Sequence, residues 1–395
     1  MEKDPVVIVG AMRTPMGGFQ GELSAVEATA LGSHAIAAAL GHAGLAADQV
    51  DEVIMGIVLP AGTGQAPARQ ASRNAGIPDE AGATAINKVC GSGMKAAMLG
   101  HDGILVGSSN IVVAGGMESM TNAPYLLPNA RGGMRIGHGE IKDHMFLDGL
   151  EDAYDKGRAM GTFAEDTAEK YQFTREAQDA YAIESLRRAK TANEDGSFDG
   201  EIAPLSIKTR KGEVTISHDE QPFTASPEKI PNLKPAFRKD GTVTAANSSS
   251  ISDGAAAFVM MRLSEAEKRG LTPIAAIRGH ATNSHAPEWF TTAPVKAIEK
   301  VLNKAGWQTG DVDLFEVNEA FAVVAMAAMH DLGLPHDKVN VHGGACALGH
   351  PLGASGARIM VTLMNALRKR GETKGVASLC IGGGEATAIA LEMLN

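Results

Sequence analysis

The sequence predicts an α/β protein made of two duplicated halves, with a long insertion carried by the first. Three observations support this. Ala35-Ile36 through Leu40, Ala43-Gly44 and Val50-Asp51 recur as Ala297-Ile298 through Leu302, Ala305-Gly306 and Val312-Asp313, at a constant offset of 262 residues. In both copies an amphipathic helix ends at glycine, a short loop follows and a β-like run begins, as expected of a duplicated unit. The alternation of strand-like and helical runs favours largely parallel sheets covered on both faces. Between the copies, roughly from Thr121 to Ala246, the composition turns polar and irregular.

The elements follow in order. Val6 to Val9 is an apolar, β-branched run and reads as the first strand. The short Met1-Glu2-Lys3-Asp4-Pro5 start before it is unlike a signal peptide. The helix that ends at Gly44 comes next. Ala83 to Ile86 leads into a tight Gly91-Ser92-Gly93 turn and the Ala-rich helical run Lys95 to Leu99. Ser92-Gly93-Met94-Lys95 is echoed by Ser355-Gly356-Ala357-Arg358, at offset 263. The insertion holds Pro124, Pro128 and a Gly/Arg-rich loop from Arg131 to Gly139. Polar helices such as Thr174 to Thr191 follow, then a basic hairpin from Ile207 to Ile216 with Lys208, Arg210 and Lys211. The strand Ala255 to Met261 completes the first half, and Gly270-Leu271-Thr272-Pro273 opens the second. The expected division is 1–120 with 247–270, then 121–246, then 271–395.

Composition narrows the class. At 395 residues the chain exceeds the size at which one core usually splits. With 46 glycines and only 4% aromatic residues, its helices must pack through small side chains. A net charge of −10 argues against a nucleic-acid surface. The apolar runs are too short for a membrane span. Three cysteines, an odd number, suit a reducing cytoplasm better than a disulfide framework.

Chemistry concentrates in four segments. Asn87-Lys88-Val89-Cys90-Gly91-Ser92-Gly93 sets a thiol at a helix start, where free N–H groups and the helix dipole favour a thiolate. The flanking glycines leave room for a substrate carbonyl. A buried, inert cysteine is the alternative reading of this segment alone. His350 lies in the Gly-rich loop Gly349-His350-Pro351-Leu352-Gly353-Ala354-Ser355-Gly356. Asn318 opens Asn318-Glu319-Ala320-Phe321 at a strand end, and Cys380 begins Cys380-Ile381-Gly382-Gly383-Gly384. A cysteine, a histidine, an asparagine and a second cysteine, each on a small-residue loop, can perform nucleophilic acyl chemistry. His342, Cys346 and His350 are spaced like metal ligands, but a fourth ligand is missing nearby and glycines interrupt the run, so no metal is expected.

Taken together, these segments resemble the thiolase family, in particular its short-chain biosynthetic branch, from Ala11-Met12-Arg13-Thr14-Pro15 to the Cys380 turn. The resemblance implies a five-layered αβαβα core of two similar halves, with the insertion as a loop domain covering coenzyme A. It implies acetyl transfer between coenzyme A thioesters: two acetyl-CoA condense to acetoacetyl-CoA plus CoA, and thiolysis is the reverse. Cys90 would carry the acyl group, His350 would take its proton, and Cys380 would be the carbon base. One oxyanion hole would use His350 and a water held by Asn318; the other would use the N–H groups of Cys90 and Gly382. Ser249 would contact pantetheine, and Met160, Phe237, Ala320, Phe321 and Leu150 would line the substrate pocket. No cofactor is bound permanently, and a homotetramer, a dimer of dimers, is expected.

The chain also departs from the family pattern. Glu288-Trp289-Phe290 stands where relatives carry a Met-Gly turn, and this bulk is expected to narrow the acyl tunnel toward short chains. Ala159 replaces a common histidine, no arginine lies between Asp219 and Lys229, and Glu385-Ala386 follows the Gly382 turn. The alternatives are a longer-chain 3-ketoacyl-CoA thiolase, a decarboxylating ketosynthase, a cysteine hydrolase, and a catalytically silent acyl-CoA-binding relative. Neither the ketosynthase nor the hydrolase explains Cys380, and a silent relative would lack one of the four reactive residues.

Overall fold

The computed structural model describes residues 4–209 and 212–394. Among the described residues the main sheet has ten strands, nine along its path and the short Gly17–Gly18 paired to one side of Ser252–Arg262. The first half supplies β1 (Val6–Arg13), β2 (Glu52–Gly56), β3 (Gly82–Ile86), β4 (Val112–Ser119) and β5 (Ser252–Arg262). The second supplies β6 (Ala275–Ser284), β7 (Leu314–Val317), β8 (Lys374–Ile381) and β9 (Glu385–Met393). Their order is β3-β2-β4-β5-β1-β6-β9-β8-β7. The halves repeat one pattern, and only the pairs Val7 with Ala276 and Ile8 with Ala275 join them edge to edge. Where the first half has β3, the second keeps a single parallel bridge between Phe315 and Val339.

The sheets are mixed, which corrects the expectation of largely parallel ones. β2 runs parallel to β3 and β4, and β7 to β8, while the other pairs are antiparallel. In the second half the reason is local. Only three glycines separate β8 from β9, and so short a link can form only an antiparallel hairpin.

Five layers result. Helices α1 (Ala28–Ala43) and α2 (Pro67–Asn74) cover the outer face of the first sheet, joined by one apolar cluster. In the insertion, α4 (Met160–Tyr171) and α5 (Arg175–Glu194) lie outside the sheets. Helices α6 (Ala293–Ala305) and α7 (Ala322–Leu332) cover the outer face of the second sheet. Between the sheets lie α3 (Ser92–Val106) and α8 (Leu352–Arg370). Every residue of α8 from Leu352 to Leu367 is buried, which accounts for its mostly small and apolar composition. The echoed Ser-Gly pair marks where these two helices touch. A Cβ on Gly93 would fall 2.8 Å from the Ala357 nitrogen, and one on Gly356 would fall 2.4 Å from the Met94 nitrogen.

The insertion is fastened to the core by charge. Arg13, at the end of β1 and without solvent exposure, donates to Glu201 at 2.5 Å and to both oxygens of Asp219 at 2.7 and 3.0 Å. Its guanidinium also stacks over Phe198. Removing one partner of such a buried set leaves uncompensated charge, so the set fixes geometry more than it adds net stability. Beyond α5 the hairpin Leu205–Thr209 with Gly212–Ile216 forms as expected, with Lys208 on its first strand. Arg210 and Lys211 lie outside the described residues. No helix among the described residues is long and apolar enough to cross a membrane.

Candidate active site

Cys90 sits on a backbone turn that its own neighbours hold in a costly shape. Val89 has φ +46°, the left-handed region that β-branched residues avoid. Three bonds hold it there. The Val89 N–H donates to Asn87 Oδ1 at 2.8 Å, the Lys88 N–H donates to Ser92 Oγ at 2.8 Å, and Ser92 Oγ donates to the Val89 carbonyl at 2.7 Å. The result points Cys90 at the start of α3, and its residue is 9% exposed. The N–H groups of Gly382 and of Cys90 itself approach the sulfur and favour the thiolate. Burial acts more strongly in the opposite direction and pushes the thiol up to about 11, with the Glu118 carboxylate adding to the rise. The thiolate expected from the helix start is therefore corrected: at rest Cys90 is a thiol, because desolvation outweighs the helix and its N–H donors.

His350 occupies the matching place before α8. Ser355 Oγ gives its one proton to the Pro351 carbonyl at 2.9 Å, so the His350 Nδ1–H donates to Ser355 Oγ at 2.6 Å. Nε2 is then the free, unprotonated nitrogen, and it is buried without a partner. Burial, helped by the positive Arg358, lowers the imidazole to about 3, so it is neutral and ready to accept a proton. Asn318 follows β7; its N–H donates to the Ser378 carbonyl, two residues before Cys380 on the adjacent strand. Both polar atoms of its side chain are buried and unpartnered. Buried amides without partners are rare, and such a group is free to hold a water or a substrate oxygen.

Cys380 is fully buried at the end of β8. Burial, together with the nearby Cys90, raises its thiol well above the ordinary range. The hairpin beyond it has room: a Cβ on Gly382 would meet only Met160 Sδ at 3.5 Å and Val89 Cγ1 at 3.8 Å. Two thiols in electrostatic contact, two N–H groups on one of them, and a neutral imidazole with a free nitrogen form a set suited to acyl transfer and carbon acid chemistry.

Comparison with known proteins identifies the family. The model of the thiolase N-terminal domain matches residues 6–264, and that of the thiolase C-terminal domain matches 271–393. The chain belongs to the thiolase family. It is 50% identical to acetyl-CoA acetyltransferase 2 of Arabidopsis thaliana over 392 residues, covering 98% of this chain and 97% of that protein. It is 49% identical to the acetyl-CoA acetyltransferase of Cupriavidus necator over 391 residues, covering 98% and 99%. The crystal structure of the Bacillus anthracis acetyl-CoA acetyltransferase superposes with a TM-score of 0.96 at 43% identity, covering 99% of each chain. Acat5 thiolase from Ascaris suum, solved in complex with coenzyme A, superposes with a TM-score of 0.94 at 44% identity, covering 99% of this chain and 100% of that one.

In this thiolase Leu150 packs on the apolar cluster that holds Cys90, and Met160, Phe237 and Phe321 belong to the one that holds Cys380. Met160 opens α4 against the Gly382 turn. Phe237 packs edge-on against Phe321, with centroids 5.9 Å apart. The Ser249 N–H donates to the Ala320 carbonyl at 2.9 Å, which ties the serine segment to the Asn318 loop. A cleft of about 350 Å³ is lined by Lys229, Ser226, Ser250 and Cys346 among others. The carbonyl of Ser250 accepts from the His350 N–H at 3.1 Å. Neither this cleft nor a larger one of about 580 Å³, with Phe198, Asp199 and His218 on its walls, is lined by the four reactive side chains.

Trp289 and Phe290 pack on α4: the Trp289 ring carries the Lys170 ammonium at 4.1 Å, and Phe290 is buried against Phe163. Their bulk supports the loop there. His342, Cys346 and His350 each have a different partner. His342 meets Phe198, His350 meets Ser355, and the Cys346 N–H donates to Glu319.

Three residues were missed. Ser355 sets the His350 tautomer. Glu319, fully buried, accepts from Tyr181, Ser185, Asn340 and Cys346 and braces the Asn318 loop. Glu118 accepts from the N–H groups of Val58, Leu59 and Gly353, so it ties β4 to the start of α8; burial raises its carboxyl to about 7. The first two lie inside motifs already quoted, whereas nothing in the sequence around Glu118 signalled a role.

Proposed function

We propose that this thiolase is an acetyl-CoA C-acetyltransferase, cleaving acetoacetyl-CoA with CoA and catalysing the reverse condensation of two acetyl-CoA. The observation that carries the reading is the pair of buried thiols, one of them approached by two backbone N–H groups. In thiolysis Cys90 Sγ attacks the 3-keto carbon and its proton passes to His350 Nε2. The oxyanion takes the N–H groups of Cys90 and Gly382. The carbon–carbon bond then breaks, and the acetyl-CoA enolate takes the Cys380 proton on carbon while its oxygen is stabilised by His350 and a water on Asn318. Coenzyme A attacks the acetyl-Cys90 thioester, and the protons on its thiol and on His350 return to Cys90 and Cys380. Condensation is the same path reversed. A high resting pKa suits Cys380, which must hold its proton until carbanion character develops.

Coenzyme A enters through the cleft of Lys229 and Ser226, where Lys229 supplies the cation that the missing arginine would have provided. Residues 121–246 form the layer that covers it, between an N-terminal half of 1–120 with 247–270 and a C-terminal half of 271–395. Met160 and Phe321 close the acyl end and favour four-carbon substrates. Coenzyme A thioesters are substrates, and no cofactor is resident. The assembly is a homotetramer in the cytoplasm. Support for assembly comes from two surfaces: the edge strand β3, which has mostly exposed or half-buried residues, and the segment 125–147, which exposes Tyr125, Ile136 and Ile141 at 70, 91 and 68%. Large exposed apolar patches of this kind mark contact surfaces.

The test compares kcat/KM for four- and eight-carbon 3-ketoacyl-CoA in wild type, Met160→Ala and Trp289→Ala enzymes. A preference for four carbons, relaxed by Met160→Ala and left alone by Trp289→Ala, supports the reading. Equal values for both substrates in the wild type favour the longer-chain thiolase.

A further inference from the structure

Two reacting turns carry charges that the chemistry above leaves unused. Lys88 lies two residues before Cys90, and Glu385 lies just past the glycines that present the Gly382 N–H. Their side chains meet: Lys88 Nζ stands 2.5 Å from Glu385 Oε2, while Ser284 Oγ donates to Glu385 Oε1 at 2.9 Å. The pair is partly shielded, with side chains 21% and 33% exposed. It joins the two halves across 297 positions of sequence.

Its place gives it leverage. On one side, the Lys88 backbone is bonded to Ser92 Oγ and is followed by the left-handed Val89, so Lys88 is stiffly connected to Cys90. On the other side, Glu385 pairs with Ile381 and with Ser284 in the first rungs of β9, next to the glycines. Gly384 is held by the 285–287 segment, its carbonyl accepting from the His285 N–H at 2.8 Å, but the two glycines before it have open space: nothing lies within 4 Å of a Cβ placed on Gly383, and only two side chains lie that close to one on Gly382. A tie between the flanks of the two turns therefore sets how closely the Gly382 N–H approaches the Cys90 sulfur.

We propose that Lys88 and Glu385 are positioning residues, an ion-pair clasp that holds the oxyanion-binding N–H of Gly382 against the nucleophile. The proposal rests on the thiolase reading for its catalytic meaning, but not for its test. Releasing the clasp is expected to lower kcat for acetoacetyl-CoA thiolysis about three- to tenfold with KM little changed, within the range that small misplacements produce.

The sign of a second readout separates clasp from charge. The rate of Cys90 alkylation by iodoacetamide is measured at fixed pH, by peptide mass spectrometry, in wild type, Lys88→Gln, Glu385→Gln and the double variant. If the charges act only by Coulomb's law, removing Glu385 speeds alkylation and removing Lys88 slows it. If they act as a clasp, both variants lose the N–H that stabilises the thiolate, both slow, and the double variant is no slower than either single one. The swapped pair Lys88→Glu with Glu385→Lys should recover part of the rate. Opposite shifts, additive losses or an unchanged rate overturn the proposal. Failure of the thiolase reading would appear separately, as absence of thiolysis in the wild type.

Discussion

The starts of α3 and α8 are the same device used for opposite purposes. Each half places its reacting residue two positions before the first residue of its central helix, Cys90 before Ser92 and His350 before Leu352. Each fastens that turn with a serine, Ser92 or Ser355, that accepts one hydrogen bond and donates another. A helix N-terminus and a dry surrounding act on both. For the thiol they oppose each other and burial wins; for the imidazole both disfavour the charged form. With Cys90 near 11 and His350 near 3, a resting thiolate–imidazolium pair is not favoured. The proton must move as substrate is attacked. A second contrast lies in the strand connections. Residues 120–251 join β4 to β5, whereas Gly382, Gly383 and Gly384 join β8 to β9. One half thus carries a long insertion and the other only a three-glycine turn.

The harshest way to break this comparison is to remove the sulfur of the first half. Cys90→Ser should lower both directions by ~10⁴–10⁶-fold, on the scale of losing a catalytic nucleophile, and labelled acetyl should no longer attach to the protein. Stable acetylation of another cysteine in the wild type would contradict the assignment. Cys380→Ser should leave acetylation of Cys90 by acetyl-CoA intact while condensation falls by ~10²–10⁴-fold, the worth of a positioned acid or base. Retention of wild-type α-proton exchange would reduce Cys380 to packing.

The electrostatic side of the comparison is sharpened by pH. Because the Cys90 thiol is raised to about 11, its thiolate fraction climbs through the whole neutral to alkaline range. Its alkylation should therefore rise about tenfold per pH unit from 7.5 to 9.5, whereas an ordinary thiol near 8.5 flattens before the end of that range. His350, lowered to about 3, stays neutral there and should add no inflection near pH 6.5 when the measurement is extended downward. The smallest effect belongs to the serine. Ser355→Ala frees the His350 tautomer, and a loss of roughly three- to tenfold in kcat is expected, the worth of one neutral hydrogen bond. Unchanged kcat would mean that packing alone orients the ring.

Much of this was legible before the structure. The 262-residue repeat revealed the duplicated halves because a helix that ends at glycine before a strand leaves a local, ordered signature. The four candidate reacting residues stood out because such chemistry demands small neighbours, and glycine runs are easy to see. Ser355 was visible inside its motif, yet its role depends on which ring nitrogen it meets. The Trp289-Phe290 bulk was visible too, but sequence says nothing of where a ring points, and here it points to Lys170 and Phe163.

Sequence by itself determined the duplicated halves, the insertion and the candidate reacting groups, since periodicity, glycine placement and residue type are local properties. Tertiary structure alone decided the strand directions of the mixed sheets, the protonation of Cys90 and His350, the part played by Glu118 and the meeting of Lys88 with Glu385. Each of these depends on what distant segments bring close and on how much water they exclude. Burial outweighs the helix start at Cys90, and no local pattern of residues records that burial.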